Sequence, residues 1–116
     1  PEIATVGVTQ AELDSGLVTG LAVMLPLHTN PRAKMRGIHD GFVKVFCLPT
    51  TGIIVGGVVV APIASELIES LSMAVRAKLT VDQLAQSFTV YPSLSGSIAE
   101  AGRRLHTHSA ERRAGY

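Results

Sequence analysis

Four histidines, a lone cysteine, a glycine pair, a basic cluster and one Pro/Ser-rich loop are the groups with reactive or ligand-binding potential in this 116-residue chain. The histidines His28, His39, His106 and His108 are separated or sit in loops and tail. His106-x-His108 would hold a metal only with further ligands, and a solvated tail is the favoured reading. Cys47 lies inside a strand pattern, where a buried, inert thiol is expected rather than a nucleophile. With no second cysteine there is no internal disulfide and no Cys-x-x-Cys dithiol, a usage that fits a reducing cytoplasm.

Gly56-Gly57 opens no helix and has no Gly-x-Gly-x-x-Gly spacing, so it reads as close backbone packing rather than a phosphate cradle. Arg32, Lys34 and Arg36 are read as a solvated basic loop, with an anionic ligand as the alternative. Tyr91-Pro92-Ser93-Leu94-Ser95-Gly96 differs from the others. A proline and two hydroxyls at the mouth of a helix make a rigid loop with free helix amides, suited to a polar ring or an anion, or to no more than starting the helix.

The elements that must position these groups centre on Gly41 to Lys78. Phe42 to Leu48 is aromatic and β-branched, Pro49-Thr50-Thr51-Gly52 suits a turn, and Ile53 to Val60 is a second strand, so a hairpin is expected. That second strand is apolar throughout, which predicts cover on both faces, by a helix on one side and other protein on the other. Pro62 to Lys78 supplies the helix, with Ile63, Ala64, Leu67, Ile68, Leu71, Ala74 and Val75 on one face and Pro62 in its first turn. Glu66 and Glu69 lie toward the positive end of its dipole, and Arg76 and Lys78 toward the negative end.

Ahead of this unit, Ile3 to Val8 is a strand candidate. Thr9-Gln10-Ala11-Glu12 is a capping box for a helix ending near Gly16. Leu17 to Leu27, with Pro26, reads as a strand at an edge or interrupted there. Thr29 to Gly37 is a connecting loop with room for one helical turn. After it, Thr80-Val81-Asp82-Gln83 is a second capping box for a brief helix through about Gln86. Phe88 to Pro92 is extended, since the residue before proline is pushed from the helical region. Ser95 is the expected N-cap of a last helix carrying Ile98, Ala101, Gly102 and Leu105. From His106 a frayed or disordered polar tail is expected. The pattern has no βαβ repetition and predicts an α+β fold: a mainly antiparallel sheet of about three to five strands with helices on one face.

Composition narrows function. One domain fits this length, with residues 1–105 as the folded unit and 106–116 as tail. A net charge of +1 with evenly scattered charges offers no footprint for nucleic acid or a membrane surface. The apolar run from Ile53 to Ile63 is far short of the roughly 20 residues that span a bilayer. The start at Pro1-Glu2-Ile3 has no signal-peptide pattern and suggests a piece of a longer protein.

Five motifs, taken in order, resemble one family. Pro1-Glu2-Ile3-Ala4-Thr5-Val6-Gly7-Val8-Thr9, Asn30-Pro31-Arg32-Ala33, Gly41-Phe42-Val43-Lys44-Val45, Ile54-Val55-Gly56-Gly57 and Tyr91-Pro92-Ser93-Leu94-Ser95 are similar to the C-terminal interface domain of the pyridine nucleotide-disulphide oxidoreductases. The likeness extends to about Leu105. It implies FAD and NAD(P)H domains N-terminal to this chain, a homodimer, and an interface over part of the apolar hairpin and helix. It also implies that Tyr91 and Pro92 lie over the partner's flavin through a cis X-Pro bond, with Ser93, Leu94 and Ser95 at the interface.

The departure from the family pattern matters as much. Disulphide reductases of this family have a His where Tyr91 stands and a Glu where Gly96 stands, a pair that shuttles protons to a dithiol. Tyrosine titrates at about 10 and glycine has no side chain, so this pair cannot do that work. The resemblance therefore implies hydride transfer from NAD(P)H to FAD and on to a quinone, in the cytoplasm, without disulphide chemistry. A soluble transhydrogenase-like or dihydrolipoamide dehydrogenase-like flavoenzyme, or a non-catalytic interaction module, are the alternatives.

Overall fold

The computed structural model describes residues 1–113, and side chains for residues 1–106. Its frame is the expected hairpin. β3 (Phe42–Cys47) and β4 (Ile54–Ala61) pair antiparallel, with Val43 opposite Val59 and Val45 opposite Gly57. The turn closes where Leu48 N–H donates to the Ile53 carbonyl at 2.9 Å, and Gly52 takes the left-handed φ of +74° that such a turn needs. β1 (Glu2–Gly7) adds to the β4 side and β2 (Leu21–Pro26) to the β3 side, giving four antiparallel strands in the order β1-β4-β3-β2 among the described residues. β2 is an edge strand, which is where a strand ending in Pro26 is tolerated.

The glycine pair works as packing. A Cβ on Gly56 would stand 2.7 Å from the Val8 carbonyl oxygen, and one on Gly57 would stand 2.8 Å from Leu71 Cδ1. Only bare backbone lets β1 and the helix above it approach β4 this closely. That helix is α3 (Ala64–Arg76), whose Ala64, Leu67, Leu71 and Ala74 are buried against the sheet. Its Glu66 and Arg76 sit in the first and last turns as expected. Pro62 does not: α3 starts at Ala64, so Pro62 precedes the N-cap, and Ile63, expected on the core face, is 40% exposed. No side chain of its own caps α3. Instead Glu2 Oε1 accepts from the Ser65 amide at 2.8 Å, tying β1 to the helix start.

That hydrogen bond from the Ser65 backbone holds the Glu2 carboxyl below its ordinary range. A lowered carboxylate pKa means that the contribution is present above the unfolded pKa and is lost as pH falls through the folded value. Glu2→Gln, which keeps an acceptor and loses the charge, is expected to be slightly less stable than the parent at neutral pH. The difference should close on acidification below the usual carboxylate range. Thermal unfolding of both chains across pH checks this; a gap that widens in acid would contradict it.

The remaining helices surround the candidate loop. α1 (Gln10–Asp14) and α4 (Val81–Ala85) begin with the two expected capping boxes, Thr9 with Glu12 and Thr80 with Gln83. α2 (Pro31–Met35) is the one helical turn in the basic stretch, started by Asn30. α5 (Gly96–Arg113) buries Ile98, Ala101, Gly102 and Leu105, as expected. It also corrects two expectations. The helix continues to Arg113 instead of fraying from His106, because adding a residue to a formed helix gains a hydrogen bond at little further ordering cost. Its start is also different: Ser93, not Ser95, holds the Gly96 amide, which donates to the Ser93 Oγ and to the Ser93 carbonyl, each at 3.2 Å.

The buried Leu67 and Leu71 of α3 and Ile98, Ala101 and Leu105 of α5 join one core cluster with Leu25, Val43, Val45 and Val59, while Gly102 packs on Leu84 and Ala85 of α4. The opposite face carries Ile3 and Met24, 74% and 51% exposed, and half-buried Phe42, Val58 and Val60. α3 and α5 therefore lie on one face, as expected; the other leaves Ile3 and Met24 open in this chain, with Phe46 fully buried and Lys44 over its ring. No helix among the described residues is long and apolar enough to cross a membrane.

Candidate functional site

Of the groups singled out in the sequence, most are placed away from chemistry. Cys47 is fully buried in β3 among core residues. His28 and His39 are exposed. His106 Nδ1 lies 2.5 Å from Asp82 Oδ1, joining α5 to α4, and His108 falls outside the residues whose side chains are described. Among the described residues no three His, Cys, Asp or Glu side chains cluster to hold a metal.

The loop from Phe88 to Ser95 is different. It is irregular, and its Tyr91–Pro92 peptide is cis, as expected. Phe88, Val90 and Tyr91 all stand out of the chain, Phe88 fully exposed and Tyr91 82% exposed. Three apolar side chains thrust into water on one short loop are the signature of a surface meant to be covered. Just after them the chain is fixed. Leu94 is buried in this chain's own core, so its side chain anchors the loop and only its main chain is left for an interface. Ser93 Oγ and Ser95 Oγ are 3.2 Å apart, and both residues are half-buried.

The rest of the fixing comes from α2. Arg32 Nε donates to the Pro92 carbonyl at 3.2 Å, and Asn30 Nδ2 donates to the Ser93 carbonyl at 2.9 Å and to Ser97 Oγ at 2.7 Å. Arg32 was grouped with Lys34 and Arg36 as a solvated cluster; the structure separates it from them. Lys34 and Arg36 remain exposed, while Arg32 is half-buried on the loop. The sequence alone assigns Asn30 no task. The signal available was local, an Asn directly before a helix that opens on Pro; the 63 residues separating it from Ser93 hide the rest.

Between α2, the loop and α5 lies a cavity of about 290 Å³, bordered by Asn30, Tyr91, Gly96, Glu100 and Arg103. Gly96 leaves room: a Cβ there would meet only Ser93 Oγ, at an ordinary 3.7 Å. Glu100 is the carboxylate at this cavity. Partial burial pushes its pKa up, but the Arg103 and Arg104 guanidiniums, at 2.9 and 3.4 Å, outweigh this and hold it below the ordinary value. It stays an anion engaged by two cations and is a poor proton donor at neutral pH. What the loop offers is therefore a phenol, flat apolar surface and main-chain polar atoms, without a general acid or base tuned near neutrality.

The model of the pyridine nucleotide-disulphide oxidoreductase dimerisation domain matches residues 1–102. An NAD(P)H dehydrogenase (quinone) of Mycobacterium tuberculosis is 59% identical over 108 residues, covering 93% of this chain and 22% of the relative. A dihydrolipoyl dehydrogenase of Haloferax volcanii is 33% identical over 112 residues, covering 92% of this chain and 24% of its own length. The crystal structure of LpdA from Mycobacterium tuberculosis superposes with a TM-score of 0.89 at 60% identity, over 90% of this chain and 23% of that one. The chain thus spans less than a quarter of the length of each of these three.

Proposed function

Because the chain belongs to the pyridine nucleotide-disulphide oxidoreductase family as its dimerisation domain, we propose that two copies pair through it in a cytoplasmic, FAD-dependent NAD(P)H oxidoreductase that reduces a quinone without disulphide chemistry. The observation that carries this reading is the pair Tyr91 and Gly96. Where dithiol enzymes of the family place a proton-shuttling His and its Glu, this chain presents an exposed phenol and an open backbone position. Glu100, one turn further on, is held as an anion by its two arginines and does not substitute for the missing pair.

The residues present suit a neighbouring flavin. Tyr91 and Pro92 offer flat surface, their backbone is anchored through the Pro92 and Ser93 carbonyls, and Phe88 and Val90 extend the apolar area. The flavin, held by domains outside this chain, supplies the hydride acceptance from NAD(P)H and the electron delivery. This chain's residues exclude water and shape the approach to it. In this reading the Tyr91 hydroxyl, exposed on the loop, donates a hydrogen bond to a quinone oxygen.

The name of the 59% identical relative, NAD(P)H dehydrogenase (quinone), agrees with this reading. The 33% identity to a dihydrolipoyl dehydrogenase favours a dithiol enzyme as the second reading, and that activity would need a proton shuttle from outside this chain. Acceptor selectivity separates the two. The full-length protein, reduced with NAD(P)H, is expected to turn over with a quinone and not with lipoamide or another disulphide.

A further inference from the structure

We propose that Asn30 is the positioning residue for the Tyr91–Pro92 loop, a role that rests on the reading of that loop as the flavin-facing element. Asn30 is 5% exposed, and both ends of its amide are fully used. Oδ1 accepts from the Arg32 and Ala33 amides at 2.8 and 3.2 Å, starting α2. Nδ2 donates to Ser97 Oγ at 2.7 Å and to the Ser93 carbonyl at 2.9 Å, with the Leu94 carbonyl at 3.5 Å as a weaker third acceptor.

The environment allows only this orientation. Turned over, the amide would set its oxygen against the Ser93 and Leu94 carbonyl oxygens and its NH₂ against two N–H donors. One buried side chain therefore fixes the α2 start and the α5 approach together. Arg32, on the first turn of α2, adds the bond to the Pro92 carbonyl, so consecutive carbonyls at 92 and 93 are both taken by α2 side chains. Phe88, Val90 and Tyr91, just ahead, are exposed, so the direction in which Tyr91 leaves the fold is set from its C-terminal side. A buried polar group with every partner supplied specifies geometry more sharply than apolar contact does.

The test exploits the two ends of the amide. Asn30→Asp keeps the acceptor that starts α2 and replaces the donor with a second oxygen facing the loop carbonyls. In the full-length flavoprotein, Asn30→Asp is expected to shift the visible flavin absorption and fluorescence. Quinone turnover should fall by about tenfold or more in kcat with KM for NAD(P)H unchanged, as loosening a positioned group does. Tyr91→Ala is the reference. If it perturbs the flavin and a folded Asn30→Asp does not, Asn30 does not position the loop. If neither perturbs the flavin, the loop does not face it, and the proposal falls with the reading beneath it. Should Asn30→Asp fail to fold, Arg32→Met removes only the Pro92 bond. A flavin shift in the same direction as that of Tyr91→Ala then supports the clamp, and an unchanged spectrum overturns it.

Discussion

Gly41→Ala should destabilise the chain by about 3 kcal/mol or more, a large share of the stability of a small domain. Gly41 has φ +104°, outside the range that L side chains adopt without strain, and a Cβ there would lie 2.2 Å from the Val60 carbonyl oxygen. That oxygen belongs to β4 backbone, so nothing flexible can yield. Gly41 cannot retreat either, because its own carbonyl accepts from the Leu27 amide at 2.9 Å, and Leu27 is fully buried. Gly37→Ala is the control. Gly37 also has a positive φ, +68°, but nothing lies within 4 Å of its Cβ position, so only strain remains, about 1 kcal/mol. Urea unfolding of both variants measures the difference; equal losses would show that the clash with β4 is not the cause. The substitution reaches the site as well, since Leu27 leads three residues later into Asn30.

Phe88→Asp should weaken dimerisation of the full-length protein by about 30-fold or more, while leaving the unfolding midpoint of this chain unchanged. Phe88 is fully exposed, with Val90 75% exposed beside it. A large aromatic with no cover in its own chain has almost nothing to lose there and, buried by a partner, contributes on the scale of an interface hot spot, about 2 kcal/mol or more. Sedimentation across a dilution series reads the association, and thermal unfolding reads the fold. An unshifted dimer would place the interface elsewhere, with the open sheet face of Ile3, Met24 and Val58 as the surface to examine next.

What could be read directly from the sequence was whatever is local. Both capping boxes, the hairpin and its Gly52 turn, and the α3 stripe depend on residues a few positions apart, and all are present. The errors arise where a distant residue takes over a local task. Pro62 and Ile63 were assigned to the start of α3, but the free amide there is satisfied by Glu2, brought in by β1. Ser95 has the right position for an N-cap; Ser93 takes the part, its hydroxyl and its Asn30-bonded carbonyl both accepting from the Gly96 amide. The length of α5 was underestimated because the sequence after Leu105 has no apolar periodicity to mark a helix. The candidate loop itself was legible as Pro and Ser before a helix, and its family likeness gave it meaning. Its clamp was not, since Asn30 and Arg32 are about 60 residues distant and look like an ordinary helix start in a basic turn.

Whether a protein built on this domain moves electrons through a flavin without a dithiol relay is tested most directly by anaerobic titration. The full-length protein is titrated with NAD(P)H under anaerobic conditions, then mixed with a quinone and, separately, with a disulphide. The account predicts uptake of two electrons per flavin, rapid reoxidation by the quinone and no reaction with the disulphide. Uptake of four electrons with reduction of the disulphide would contradict it, and would require an acid-base group outside this chain in place of the pair that Tyr91 and Gly96 lack.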